Sequence, residues 1–163
     1  MTEDTTKLLD VIGKKILAEL QGNGRIPFTE LGKRVGLSTP AVMDRVRRLE
    51  DAGIIVGYRA DVDLSKMGYP LVAFIAVNVV GDFLPRMNKL ARSIPEILEC
   101  HRVTGATTFI MKVVAGSVEE LEKTIDRLTP YVATTTSMVL SSVVTRRSIE
   151  PNRLHTHSSV RRP

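Results

Sequence analysis

"LGKRVGLSTPAVMDRVRRLEDAGII", residues 31–55, decides how the N-terminal half of the chain is read. An apolar run ends at Gly36, the chain restarts on Ser38-Thr39-Pro40, and Arg45, Arg47 and Arg48 follow within four positions. Pro40 fits a first helical turn, and the Ser38 or Thr39 hydroxyl can accept from a free N–H there. Val42, Val46 and Leu49 then recur at helical spacing, and Gly53 stops the run. Two short helices joined by a tight glycine turn form a helix-turn-helix pattern.

The flanks extend this pattern. Upstream, "PFTELGKRV" (27–35) opens on a proline and repeats Phe28, Leu31 and Val35. Before it, "KLLDVIGKKILAELQ" (7–21) carries Leu8, Leu9, Ile12, Ile16, Leu17 and Leu20 at helical spacing, so one supporting helix is expected, closed by Gly22 and Gly24. Downstream, "IIVGYRADVDL" (54–64) reads as an extended wing or linker strand. "SKMGYP" (65–70) supplies turn residues and marks the domain boundary.

Beyond it the period changes. "LVAFIAVNVV" (71–80) is apolar on both faces of a strand, apart from Asn78. One face can lie under helices, and the other needs a second layer, for which a partner subunit is the simplest source. "DFLPRMNKLARSI" (82–94) is helical, with Phe83, Met87, Leu90, Ala91 and Ile94 on one side. "ILECHRV" (97–103) and "TFIMKVV" (108–114) read as strands around Gly105. "SVEELEKTIDRL" (117–128) is an amphipathic helix with a Ser117/Glu120 capping box, and "VATTTSMVLSSVV" (132–144) is a β-branched strand. The order βαββαβ is that of a ferredoxin-like unit. The expected fold is therefore α+β: a helix-turn-helix (winged-helix) domain over 1–64, a ferredoxin-like domain over 65–147, and a flexible basic tail over 148–163.

Bulk properties narrow the function. At 163 residues with 43% hydrophobic and 25% charged content, the chain is an ordinary globular one. A single cysteine, Cys100, excludes an intramolecular disulfide, the N-terminus shows no secretory leader, and the apolar run from Pro70 to Val77 is too short to span a bilayer; a cytoplasmic protein is expected. The net charge is +5. Residues 1–62 carry 10 basic and 9 acidic side chains, residues 63–145 carry 8 of each, and residues 146–163 carry 5 and 1. Bulk charge thus says little about nucleic acid, and the case rests on where the charges lie.

On a helix at about 100° per residue, Pro40, Asp44 and Arg47 point away from Val42, with Met43 and Arg48 on the flanks. A helix in a major groove reads bases through such residues while neighbours meet phosphates. Thr39, Pro40, Met43, Asp44 and Arg47 are candidate readers. Arg48, Lys33, Arg34 and Arg45 are candidate phosphate anchors, with Ser38 and Thr39 at the helix start. A merely solvated face, or a protein-binding one, is the competing reading. Double-stranded DNA is the expected partner, and so few contacts per chain call for a dimer.

Enzyme chemistry is not expected. Cys100 and His101 are neighbours on a strand and point to opposite faces. His155 and His157 sit in the polar tail. No Gly-rich phosphate loop, HExxH, CxxC or GxSxG motif appears, so no catalytic residue, metal or cofactor is assigned. Gly105, Ala106, Thr107 and Thr108 form a small-residue turn, and Thr134, Thr136 and Ser137 add hydroxyls; together they form a candidate pocket for a small ligand bearing a carboxylate and an amine. Threonine's preference for strands is the plainer reading of Thr134 and Thr136.

"KILAELQGNGRIPFTELGKRVGLSTPAVMDRVRRLEDAGIIVGYRADVD" closely resembles the DNA-binding half of the Lrp/AsnC transcription regulators, and "MGYPLVAFIAVNV", "EILECHRVTG" and "FIMKVV" resemble their second half. The resemblance covers roughly residues 8–145 and lies in many short signatures in order. It implies a DNA-binding dimer, often built into octamers through the second domain, and an amino-acid or related effector bound between dimers by Gly105, Ala106, Thr107, Thr108, Thr134, Thr136 and Ser137. The chain departs from the family in places, its basic tail among them. Gly13 stands where an acid is usual, and the turn usually written Gly-Asp-x-Asp reads Gly-Ala-Thr-Thr at 105–108. The second change removes groups that could pair with an ammonium, so a different ligand, or none, stays open. An effector-binding assembly whose helical half contacts protein is the rival function.

Overall fold

The computed structural model describes residues 7–79 and 83–151. The described residues form two compact units: one holds those up to Ala60 together with 144–151, and the other those of Asp61–Val143. His155 and His157, and the tail from 152 on, lie outside the described residues.

The first unit is three helices, α1 (Val11–Gly22), α2 (Phe28–Val35) and α3 (Thr39–Asp51). Ile16, Leu31, Val42, Val46 and Leu49 meet in a core where none is more than 1% exposed. The single supporting helix expected over 7–21 is instead broken at Leu9–Asp10. Asp10 adopts an extended cap conformation and its carboxylate accepts from Gly13 N at 2.7 Å. The Leu8 carbonyl folds over this new start so closely that a Cβ on Gly13 would lie 1.9 Å from it. A helical period of apolar residues says nothing about such a break; the Asp-x-x-Gly spacing carries it.

Gly36 ends α2 in the left-handed region (φ +76°), and Gly53 follows α3 at φ +66°. The stretch after α3 enters no β-ladder, so the strand expected over 54–64 is not formed. Its anchor is a side chain: the Tyr58 hydroxyl donates to Glu50 Oε1 at 2.8 Å. Burial first, and the Glu50 carboxylate second, push the Tyr58 phenol up to about 12. In the same unit the Gln21 side chain donates to the Ile149 carbonyl (2.9 Å) and accepts from the Ile149 N–H (3.0 Å).

The second unit contains β1 (Leu71–Val77), α4 (Leu84–Ser93), β2 (Ile97–Arg102), β3 (Phe109–Ala115), α5 (Val118–Asp126) and β4 (Thr134–Met138). The strands form one antiparallel sheet in the order β2-β3-β1-β4. Ala73, Ile75, Val77, Phe109, Met111 and Val113 face the helices and pack with Met87, Ile94, Leu121 and Leu128. Ser117 caps α5 as expected by accepting from Glu120 N, but the Glu120 carboxylate reaches back to Gly116 N (2.9 Å), one residue earlier than the usual box. The last strand is shorter than its β-branched run. Pairing ends where Val139 N donates to Val72 O, because Pro70 closes β1 and leaves nothing to pair with; Leu140 and Val143 are 97% exposed. None of the described helices is long and apolar enough to cross a membrane.

Candidate nucleic-acid interface and effector pocket

The turn before α3 is tight because Gly32 lets the chain close on it. A Cβ there would sit 2.6 Å from the Leu37 carbonyl, and Leu37 N donates to Gly32 O. Ser38 is the N-cap, but its hydroxyl makes no capping bond, contrary to expectation. The first helical bond, Val42 N to Ser38 O at 3.0 Å, comes from backbone alone. Proline in the first turn already fixes the helical φ, which lowers the need for a side-chain cap. Since Val42, Val46 and Leu49 are buried, the opposite side must face solvent, and Pro40, Met43, Asp44, Arg47 and Arg48 are all exposed. Thr39 and Ala41 are half-buried.

The cations around α3 differ sharply in what holds them. The Arg45 guanidinium grips Asp10 with both arms, at 2.7 and 2.8 Å. That hydrogen-bonded pairing holds the Asp10 carboxyl below its usual range and raises Arg45. Arg34 is held by Glu19 at 2.8 Å and by Glu30 one helical turn away. Arg45 and Arg34, both expected as phosphate anchors, are therefore engaged inside the unit, where they tie α1 to α3 and α1 to α2. Arg47 makes a single long contact with Asp51 (3.8 Å), both groups more than two-thirds exposed, a geometry of little net worth. Lys33 is exposed on α2. Sequence reasoning does not single out Asp10, Glu19 or Glu30. The Glu30–Arg34 spacing of four is a readable signal; the Asp10–Arg45 contact, 35 residues apart, is not.

In the second unit the register Phe109–Val77–Thr134 brings the turn before β3 and the start of β4 to one end of the sheet. Gly105 has φ +116°, open only to glycine at low cost. Thr108 is committed to its own fold: its N–H donates to Val77 O, and its hydroxyl accepts from Val79 N (3.1 Å) and donates to Val79 O (3.2 Å). Thr134 and Thr136, paired with Val77 and Ile75, lie on the helix side and are half-buried. Ser137, paired with Phe74, lies on the opposite face. The seven expected pocket residues thus do not converge: Gly105, Ala106, Thr107 and Thr134 share one end, Thr136 sits one pleat further along, Thr108 is engaged by backbone, and the pleat turns Ser137 away. The alternation that separates Thr136 from Ser137 is legible in the sequence.

The opposite face carries Val72, Phe74, Ala76 and Ile110, none of them fully buried, and Phe74 is 43% exposed. It is edged by Glu99, which lies 3.2 Å from His101 Nε2 and 3.3 Å from Lys112 Nζ. The contact with His101, then with Lys112, keeps the Glu99 carboxyl below its usual range. Cys100 points to the other side of β2, where burial pushes its thiol up; it makes no pair with His101. Among the described residues no group of three His, Cys, Asp or Glu could hold a metal ion.

Residues 9–56 match the family model for a winged helix-turn-helix DNA-binding domain, and residues 72–149 match that for the Lrp/AsnC ligand binding domain. The chain is 35% identical over 138 residues to the HTH-type transcriptional regulator LrpC of Bacillus subtilis, covering 85% of this chain and 96% of the relative. A transcriptional regulator of Neisseria meningitidis solved with L-Met superposes with a TM-score of 0.83 at 31% identity, covering 86% of this chain and 96% of that one. The feast or famine regulatory protein of M. tuberculosis complexed with L-methionine gives 0.82 at 32%, covering 88% and 99%.

Proposed function

The chain belongs to the Lrp/AsnC family of transcriptional regulators, with a helix-turn-helix DNA-binding half and a ligand-binding half, and from that premise we propose that α3 enters the major groove of cytoplasmic DNA. One observation carries this assignment: Val42, Val46 and Leu49 bury one side of α3 completely, which leaves Pro40, Met43, Asp44 and Arg47 as a continuous outward row. Lys33, Arg47 and Arg48 are the groups assigned to bases and phosphates. Arg34 and Arg45 are assigned to the scaffold, since breaking their ion pairs to reach a phosphate would exchange one charge-assisted bond for another.

The active form is a dimer, and higher assemblies such as an octamer are built from it. The uncovered apolar face of the sheet supports a dimer, because a second copy laid over Phe74, Ala76 and Ile110 supplies the missing layer. An amino acid or related small molecule is the effector; the two methionine complexes among the structural neighbours support that class. It is assigned to the sheet end formed by Gly105, Ala106, Thr107 and Thr134, where the turn offers backbone groups in place of side-chain acids. No catalytic role is assigned to any residue.

A gel-shift assay with salt titration tests both the helix and its cations. Wild type should bind one duplex over its shuffled version. Arg47→Ala with Arg48→Ala should remove most of that affinity and lower the salt slope by about 1 for each phosphate no longer neutralised. Unchanged specific affinity would transfer the helical half to a protein-binding role.

A further inference from the structure

The outward row of α3 carries a carboxylate in its middle. Asp44 lies one turn from Pro40 and three residues from Arg47, exposed, at the part of a groove-entering helix that meets base edges. The other carboxylates on or beside α3 have partners: Asp10 holds Arg45, Glu50 accepts from Tyr58, and Asp51 faces Arg47. Among the described residues no hydrogen bond or salt bridge holds Asp44. Its neighbour Arg45 feels its charge, yet directs both arms to Asp10.

An acid in that place is unfavourable for DNA binding in general. Every duplex presents phosphates, and their repulsion of a carboxylate does not depend on sequence. Only a base that offers a donor can offset it. In the major groove the donors are the exocyclic amino groups of cytosine and adenine. Adenine sets its N7 acceptor beside the amino group, and a carboxylate is repelled by that acceptor. Cytosine sets only a C–H beside its N4 amino group.

We propose that Asp44 is a specificity-determining residue that weakens binding to DNA at large and is offset only where a cytosine N4 amino group meets it. The inference rests on α3 being the groove-entering helix. Asp44 thereby acts in the opposite sense to Arg47 and Lys33, whose charge favours any duplex.

The test is selection of sites from a random duplex pool by the full-length wild type, Asp44→Asn and Asp44→Ala, followed by affinity measurements on the selected and shuffled duplexes. Wild type should enrich cytosine at one position of each half-site. Asp44→Asn should move that position to adenine, which an amide meets with both its donor and its acceptor, and should discriminate there on the order of tenfold. Asp44→Ala should leave that position unselected. Both variants should bind shuffled DNA a few-fold more tightly at low salt, on the order expected for removing one repelling charge. The same base at every position for all three proteins would overturn the proposal and leave the DNA-binding assignment standing. So would weaker binding of both variants to selected and shuffled duplexes alike, with unchanged thermal unfolding. A wild type that enriches no site would overturn the α3 assignment itself, and this inference with it.

Discussion

The two halves of the chain finish their cores differently. In the helical half, Ile16, Leu31, Val42, Val46 and Leu49 come from three helices and bury one another almost completely. In the sheet half, one face is sealed by α4 and α5 while the other leaves Phe74 43% exposed among Val72, Ala76 and Ile110. A helix has one apolar stripe to hide, so three helices close on each other. A sheet has two faces, and two helices cover one. The helical half thus closes its own core, whereas the sheet half keeps apolar side chains on its second face, which the dimer proposed above would cover.

The largest effect that would break this contrast is at the open face. Phe74→Glu places a charge where a partner layer should sit, and an unpaired buried charge costs several kcal/mol, so sedimentation should show dimers replaced by monomers. A normal profile would mean the face is not an interface. Next comes the helical half, which should fail by itself. Gly13→Ala forces a Cβ onto the Leu8 carbonyl and should destabilise that unit by about 3 kcal/mol, read as a lower melting transition.

Asp10→Ala removes both the α1 cap and the Arg45 pairing, at about 1–2 kcal/mol together. The same link gives a pH signature. The folded Asp10 carboxyl lies below its usual value, so its contribution is present above the unfolded pKa of about 3.9 and is lost as pH falls through the lower folded one. A melting series below pH 5 should show a steeper decline for wild type than for Asp10→Asn; parallel curves would reject the assignment. Smallest is Thr134→Val, expected to remove about 1 kcal/mol of any amino-acid-induced stabilisation without altering the apo melting point. An unchanged ligand shift would take Thr134 out of the pocket and leave the site to the turn.

Legibility in the sequence follows the range of the interactions. The elements of both units, the Gly36 and Gly53 turns and the buried stripe of α3 follow from local period and punctuation, which depend on residues a few positions apart. The departures are of two kinds. Arg45 reads as a phosphate anchor in the sequence because its partner sits on another element 35 residues away, and Arg34 because the i,i+4 signal of Glu30 leaves its second partner, Glu19, out of view. Thr108 and Ser137 read as pocket residues because composition records hydroxyls but not which way a pleat turns them or what backbone they already serve. The break at Leu9–Asp10 and the missing strand after α3 are hidden by apolar periods that continue across them.

The Leu8 carbonyl over Gly13 also constrains how this protein can change. Placing any side chain at position 13 is closed as a single step, because it collides with backbone five residues earlier. The segment before Asp10 would have to be rebuilt in the same move. Position 13 and the run up to Leu9 therefore form an epistatic pair, and lineages carrying this glycine should differ from their relatives at both places or at neither.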